Sequence, residues 1–128
     1  VGMSVCFEIL YPEYIRRSVE QGAGFLVNVS NDAWFGDSAM PRCHLQAARA
    51  RAVETGRWLL RASNSGISAV IAPDGSLTAA SDLFVAQRIS GTFLRLTGMT
   101  VYTRWGDWLF FFVLAVLGAG LLRAGTRR

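Results

Sequence analysis

The chemistry suggested by the sequence begins at Cys6 and Glu8, which lie two residues apart in the segment VCFEILYP. Residues 2–7 (GMSVCF) predict a short buried strand, so the sulfur of Cys6 would lie at the rim of a sheet, where α/β enzymes carry nucleophiles. A carboxylate just past a strand, such as that of Glu8, is costly to bury unpaired and could orient a neighbouring base or a backbone loop. The alternatives are a structural cysteine and a surface or ion-paired glutamate.

A cysteine nucleophile attacks as its thiolate, and it needs a nearby cation or base to reach that state. His44 is the single histidine of the chain. A Cys6–His44 dyad is therefore the hypothesis that these residues offer by themselves. The alternative is that His44, in the first turn of an arginine-rich helix, faces water.

A second candidate site is the loop VNVSNDAWFG, residues 27–36. Asn31 and Asp32 are typical turn and helix-cap residues, which favours a structural role for them. Trp34 and Phe35 are large apolar side chains on a polar loop, and such a pair indicates either a packed loop or an exposed binding surface. On a domain tethered to a membrane, an exposed pair would suit lipid acyl chains.

The elements that would hold these residues follow a strand–helix–strand order. Pro12 suits the first turn of a helix, Gly22 stops that helix, and residues 25–29 (FLVNV) predict a second buried strand. This order predicts a βαβ unit with parallel strands, and therefore an α/β fold. The remaining predicted elements are a helix at 42–56, strands at 58–62, 67–72 and 76–80, turns at 63–66 and 73–75, and a strand region at 84–96.

The C-terminal part is a long apolar run, WLFFFVLAVLGAGLL, which covers residues 108–122. Counted from Trp105 it would span roughly 27 Å as a helix, close to the ~30 Å hydrocarbon core of a bilayer. Arg123, Arg127 and Arg128 follow it directly. By the positive-inside rule these arginines predict a cytoplasmic tail and a domain on the outer side of the inner membrane. The alternative is a buried core helix.

Composition limits the remaining choices. The net charge is +4, and all 13 basic residues are arginines. They are not interleaved with aromatic residues along one stripe, so no nucleic-acid partner is predicted. Two cysteines are too few for a disulfide scaffold. The predicted organisation is a catalytic-domain part (1–96), a linker (97–107), a transmembrane helix (108–122) and a cytoplasmic basic tail (123–128).

Three segments carry a resemblance to a known family: VCFEILYPEYIR, FLVNVSNDAWFGDS and HLQAARARAVETGRWLLRASNSGISAVIAPDG. They resemble the C-terminal portion of the apolipoprotein N-acyltransferase family, within the nitrilase superfamily, and the resemblance runs from Gly2 to Arg104. It implies an α/β fold, the C-terminal half of a nitrilase-like α-β-β-α sandwich followed by one transmembrane helix.

The resemblance also assigns residues. It implies that Cys6 is the nucleophile and that Glu8 is the essential glutamate that follows it. The other two members of the family's Glu–Lys–Cys set precede the cysteine and have no counterpart here, so the chain is expected to be a C-terminal piece that is inactive alone. Substrate-side roles are expected for residues of the two loops and for the neighbour of the nucleophile, where the family often has tyrosine: Phe7, Asn31, Trp34, Phe35 and Asn64.

The implied reaction is a ping-pong acyl transfer through a cysteine thioester. The acyl donor would be a phospholipid, the acceptor the diacylglyceryl-cysteine of an apolipoprotein, and the site the periplasmic side of the bacterial inner membrane. Neither a cofactor nor a metal is expected. Two alternatives stay open: a nitrilase-type amidase that hydrolyses C–N bonds, and a catalytically dead membrane-anchored domain.

Overall fold

The structure, a computed structural model, describes residues 1–125 and builds them around one mixed sheet of five strands. The strands lie in chain order across the sheet. The first three are parallel to one another, and the last two run antiparallel. The predicted parallel βαβ unit, the hairpin and the α/β fold are therefore confirmed. The strands are β1 (Gly2–Val5), β2 (Leu26–Asn31), β3 (Leu59–Asn64), β4 (Ala69–Ile71) and β5 (Leu77–Ala80).

Two helices begin and end within two residues of their predicted bounds, α1 (Pro12–Glu20) and α2 (Met40–Thr55). Pro12 opens α1, and Gly56 closes α2 in the left-handed conformation at φ 61°. The amide of Gly56 donates to the carbonyls of Ala52 and Val53, as is usual where a helix ends on glycine. Two further helices follow, α3 (Val101–Trp105) and α4 (Trp108–Gly125). Two 3-10 turns lie at Cys6–Leu10 and Ala33–Phe35.

The core lies between one face of the sheet and the two longer domain helices. Ile15 and Val19 of α1 and Leu45 of α2 are buried there. They pack with apolar residues of the strands and of the first 3-10 turn, namely Leu26, Leu59, Ile71 and Ile9. Because successive strand residues point to opposite faces, the alternate positions of the strands face away from this core.

The opposite face of the first two strands stays exposed and apolar. Met3, Val5 and Val29 are exposed there, and we call these three residues the open face. In proteins, both faces of a sheet of parallel strands are normally covered by other elements. The open face is thus a surface suited to a second layer of structure.

One prediction for the segment after β5 is wrong. Residues 84–96 do not form a strand but an irregular segment that is hydrogen-bonded to loops, because Phe84 donates to Ser65 and Leu96 donates to Gly24. The predicted linker at 97–107 contains the short helix α3. This helix forms because the Thr100 hydroxyl caps it, accepting from the amide of Thr103 at 2.9 Å.

The C-terminal apolar run is a helix, α4, as predicted. Within residues 1–125, however, no helix reaches the length and apolarity that crossing a membrane requires. The predicted transmembrane helix at 108–122 is therefore not confirmed. Arg127 and Arg128 of the predicted tail lie outside the described residues.

Gly56 offers a test of how α2 is joined to the segment before α3. A Cβ at this position would lie 2.9 Å from Cγ2 of Thr100 and would sit on a left-handed backbone. We expect Gly56→Ala to lower the free energy of unfolding by about 1–2 kcal/mol, measured by urea denaturation. In a Thr100→Ser background, which removes Cγ2 and keeps the hydroxyl, the loss should be smaller. Equal losses in both backgrounds would contradict the steric contribution.

Candidate active site

The candidate residues meet at one edge of the sheet because β1, β2 and β3 are parallel and end on the same side. Val5, the last residue of β1, is level with Val29 of β2, and Asn31 is level with Asn64 of β3. The amide nitrogen of Asn64 donates to Oδ1 of Asn31 at 3.4 Å. The carboxyl edge of such strands is where α/β proteins hold their ligands.

Cys6 is the residue at which β1 turns into the first 3-10 turn, and its backbone is left-handed at φ 50°. Few residues other than glycine adopt this conformation, and it stores strain of order 1–3 kcal/mol. A sharp strand-to-helix turn of this kind presents a side chain at the top of a sheet. Cys6 is a free thiol, and the residue is partly exposed.

Glu8 holds the backbone just before the cysteine. Its Oε2 accepts from the amide of Val5 at 2.7 Å, a short charge-assisted hydrogen bond that closes the turn around Cys6. Glu8 could orient either a neighbouring base or a backbone loop, and this contact serves the second role.

His44 lies beneath the turn and is 2% exposed, so the expectation that it could face water is wrong. Its Nε2 lies 3.2 Å from the carbonyl oxygen of Cys6, and its Nδ1 lies 3.0 Å from Oδ1 of Asp32. Both ring nitrogens are thus engaged with oxygen atoms. The predicted Cys6–His44 dyad is corrected accordingly: the histidine contacts the main chain of Cys6 and is not placed to act as its base.

Asp32 is fully buried and is held by three neighbours. It accepts from the hydroxyl of Ser30 at 2.6 Å, contacts His44, and accepts from Nη2 of Arg61 at 2.8 Å. Burial by itself raises the pKa of Asp32. The Ser30 hydrogen bond and the charge of Arg61, with a smaller contribution from His44, outweigh it and hold the pKa below its ordinary value. Asp32 is therefore a carboxylate.

Arg61 completes this buried pair and was not among the predicted site residues. Its side chain is inaccessible to solvent, and Nη1 donates to Oδ1 of Asn28, also fully buried. Burial lowers the pKa of Arg61, whereas the charge of Asp32 opposes that change. The signal that could have found it is an arginine within a predicted strand, because a guanidinium that becomes buried needs a carboxylate or a set of acceptors.

The aromatic residues of the site divide into two groups. Phe7 stacks on the His44 ring at a centroid distance of 5.6 Å, and Phe35 meets both rings edge-on. Trp34 is 89% exposed. The predicted exposed pair is thus correct for Trp34, whereas Phe35 is half-buried against the histidine. Residues 1–125 contain no cluster of three or more acidic, cysteine or histidine side chains able to hold a metal ion.

These features define a class of protein: an α/β domain that presents a cysteine at the carboxyl edge of a sheet. Residues 1–92 match the carbon-nitrogen hydrolase family, and the chain belongs to that family. Among solved structures it resembles Nit3 of Saccharomyces cerevisiae, of the nitrilase superfamily (TM-score 0.57, 24% identity, 65% of this chain and 33% of that one). It also resembles the amidase of Nesterenkonia sp. AN1 with an acetamide moiety bound covalently at the active-site cysteine (TM-score 0.51, 25% identity, 63% and 33%).

Curated relatives narrow the comparison further. The chain is 43% identical over 105 residues to the apolipoprotein N-acyltransferase of Methylococcus capsulatus, covering 82% of this chain and 21% of that protein. It is 41% identical over 128 residues to the enzyme of the same name from Shewanella oneidensis, covering 100% and 24%. The chain thus spans less than a quarter of the length of these two relatives.

Removing the charge of Asp32 should destabilise the domain and change its response to acid. Asp32→Asn leaves Arg61 buried without a carboxylate, so we expect a loss of about 3 kcal/mol at neutral pH by urea denaturation. The folded pKa of Asp32 is depressed, so its contribution is complete above the unfolded value of about 3.9 and is lost as pH falls through the lower folded pKa. Between about pH 5 and about pH 3, the variant should therefore lose less stability than the parent. An unchanged acid slope would contradict this account.

Gly66 packs directly on the buried carboxylate of Asp32, so the effect of adding a side chain at this position can be tested. A Cβ there would lie 2.8 Å from Cγ of Asp32 and would overlap Oδ2 of Asp32 and Oγ of Ser63. We expect Gly66→Ala to displace Asp32 and to cost about 1–3 kcal/mol of stability, as overpacking of a filled site does. Gly118→Ala, which meets no atom within 4 Å, is the control and should not destabilise. Thermal unfolding of the two variants would decide, and equal stability of both would show that Asp32 can move freely.

Proposed function

We propose that this chain forms part of an N-acyltransferase that moves a fatty acyl group from a phospholipid to the N-terminal diacylglyceryl-cysteine of lipoproteins through a thioester on Cys6. The observation that carries the proposal is the left-handed, partly exposed Cys6 at the carboxyl edge of the sheet. The identity of about 40% to apolipoprotein N-acyltransferases, which extends over most of the chain, supports the choice of reaction.

The proposed reaction has two displacements. In the first, Sγ of Cys6 attacks the ester carbonyl carbon of the phospholipid, an S–C bond forms, and the lysophospholipid leaves with the alcohol oxygen protonated. In the second, the amine of the acceptor attacks the thioester, the amide forms, and the thiol is restored. Dividing one difficult transfer between two steps is the gain that a covalent intermediate provides.

Two groups needed for these steps must come from outside the described site. A base has to take the thiol proton, and His44 does not serve because both of its nitrogens are engaged. A cation or set of donors has to stabilise the oxyanion. We propose that the glutamate and lysine implied by the family resemblance provide them, as part of a second sheet packed on the open face in an α-β-β-α sandwich.

The lipid substrates would be met by exposed apolar surface of the domain. Trp34 and Phe7 are exposed next to the cysteine turn. Helix α4 exposes apolar side chains along most of its length, among them Phe110, Phe112, Leu114 and Leu117. We propose that these surfaces contact a bilayer, since exposed apolar area of this extent is otherwise unfavourable in water. The predicted inner-membrane location, with the domain periplasmic, stays a prediction.

The rival function is a nitrilase-type amidase. Cys6 and Glu8 fit it equally well, and the Nesterenkonia amidase that resembles this chain carries a covalent adduct on its active-site cysteine. The exposed Trp34 and the apolar α4 favour the transferase, because a soluble amide substrate gives them no role. The third possibility, a catalytically dead domain, would leave the left-handed strain at Cys6 without a purpose.

The complete protein incubated with a phospholipid radiolabelled in its acyl chain should become labelled at Cys6. Neutral hydroxylamine should release the label, because it cleaves thioesters and leaves amides intact, and a diacylglyceryl-cysteine peptide should take the label up. Cys6→Ala should abolish both signals. Cys43→Ser is the matched control and should keep them, because Cys43 is an exposed thiol on α2.

Three outcomes would contradict the transferase. Amide turnover without any labelled protein indicates the amidase. Undiminished transfer by Cys6→Ala excludes a thioester on this residue. Equal loss of label in Cys43→Ser would mean that the wrong cysteine had been assigned.

A further inference from the structure

We propose that His44 is a positioning residue: its Nε2–H group holds the carbonyl of Cys6 and thereby fixes the left-handed backbone that presents the nucleophile. The inference rests on the proposed function only in that it takes Cys6 as the reacting group. It concerns a residue whose role in the reaction would be exerted through the main chain rather than by proton transfer.

The hydrogen bond between His44 and Cys6 has a defined direction. A carbonyl oxygen can only accept, so the contact of 3.2 Å between the Cys6 oxygen and Nε2 requires the hydrogen to be on Nε2. This carbonyl belongs to the peptide that follows Cys6, whereas Glu8 holds the amide of Val5, which precedes it. The two contacts fix the main chain on both sides of the cysteine.

The imidazole of His44 is held by polar groups and by two aromatic rings. Nδ1 lies 3.0 Å from Oδ1 of Asp32 and 3.2 Å from Nη2 of Arg61, which can donate to it. The ring packs against Phe7 and Phe35. Asp32 is fixed in turn by the guanidinium of Arg61 at 2.8 Å. Since the guanidinium is rigid and inaccessible to solvent, the ring has little freedom to rotate.

The hydrogen bonds continue from Arg61 back to β1. Arg61 donates to Asn28 in the middle of β2, and the side-chain nitrogen of Asn28 donates to the main-chain oxygen and hydroxyl of Ser4, at 3.3 and 3.0 Å. Ser4 lies in β1, two residues before the cysteine. A continuous chain of hydrogen bonds, all buried except the part-buried last one, therefore runs from β1 before the nucleophile back to the main chain at the nucleophile. Such a support is what holding a strained reactive residue requires.

A matched pair of substitutions separates the two contacts of the ring. The amide nitrogen of His44→Gln can take the place of Nε2 and donate to the Cys6 carbonyl. The shorter side chain of His44→Asn can replace Nδ1 beside Asp32 but does not reach that carbonyl. His44→Gln thus keeps a donor to the Cys6 carbonyl and gives up the contact with Asp32, whereas His44→Asn does the reverse. A loss of Cys6 reactivity in His44→Asn alone therefore reports on the contact with Cys6.

The test uses the complete protein and two readouts. One is the initial rate of acyl labelling from radiolabelled phospholipid. The other is the rate of iodoacetamide alkylation at Cys6 relative to Cys43, followed by mass spectrometry, in which the exposed Cys43 is an internal reference.

We expect His44→Asn to lower both rates by about tenfold or more, because small misplacements of a reacting group have effects of this size. His44→Gln should stay within about threefold of the parent, a difference below 1 kcal/mol. Circular dichroism and thermal unfolding establish that both variants are folded.

Each result bears on the proposal. Parent-like labelling and alkylation in His44→Asn would overturn it. A folded His44→Gln as inactive as His44→Asn would overturn it too, and would point to proton transfer by the imidazole. If the parent takes up no label from phospholipid, the transferase fails, yet the alkylation ratio still decides whether His44 positions Cys6. If His44→Asn does not fold, Ser30→Ala, which removes the 2.6 Å hydrogen bond to Asp32, should lower the same ratio. An unchanged ratio would reject the network.

Discussion

The buried ion pair between Asp32 and Arg61 is the interaction on which the candidate site depends. Two charges that are removed from water are favourable only if their remaining hydrogen-bonding groups are also satisfied. Here Asp32 is served by Ser30, His44 and Arg61, and Arg61 also reaches Asn28. Nε of Arg61 is the one guanidinium nitrogen of this residue without a partner in the described structure. Breaking the pair on either side would leave a charge buried alone, so the arrangement is rigid by necessity.

The position of that pair explains how a strained cysteine is maintained. A left-handed residue at the end of a strand relaxes unless its surroundings fix it. Glu8 on one side and His44 on the other engage the main chain around Cys6, and His44 is itself held by Asp32. The helix α2 supplies the histidine, and the sheet supplies the ion pair. Helix and sheet thus cooperate at a single residue, which is how a scaffold achieves positional accuracy in a site.

The apolar surfaces follow a similar logic on a larger scale. The sheet is covered on one face, and its open face on β1 and β2 is exposed. Both α4 and Trp34 also expose apolar groups. Burial of such area is favourable by about 25 cal/mol per Å², so these surfaces are expected to be covered in the working protein. A second sheet on the open face and lipid around Trp34 and α4 agree with the proposed acyl transfer. Membership in the carbon-nitrogen hydrolase family agrees with the α/β sheet.

The sequence by itself determined the local elements and the family. The periodicity around Pro12 and Gly22, the turn residues and the apolar strands predict the βαβ unit and the hairpin, because such signals act over a few residues. It also indicated Cys6, since the end of a strand is a local feature. Residues 84–96 were predicted wrongly because their backbone is held by loops distant in the chain, which no local pattern records.

Only the tertiary structure decided how His44, Asp32 and Arg61 are used. They come from a helix, a loop and a strand, separated by 12 and 29 residues along the chain from Asp32. The sequence offered His44 as a base or as a surface residue, and it is neither. Whether an imidazole meets a sulfur, a carbonyl or water depends on a few ångströms of packing between α2 and the sheet. That packing results from the whole core, whereas the identity of a residue and its neighbours fixes only what it is able to do.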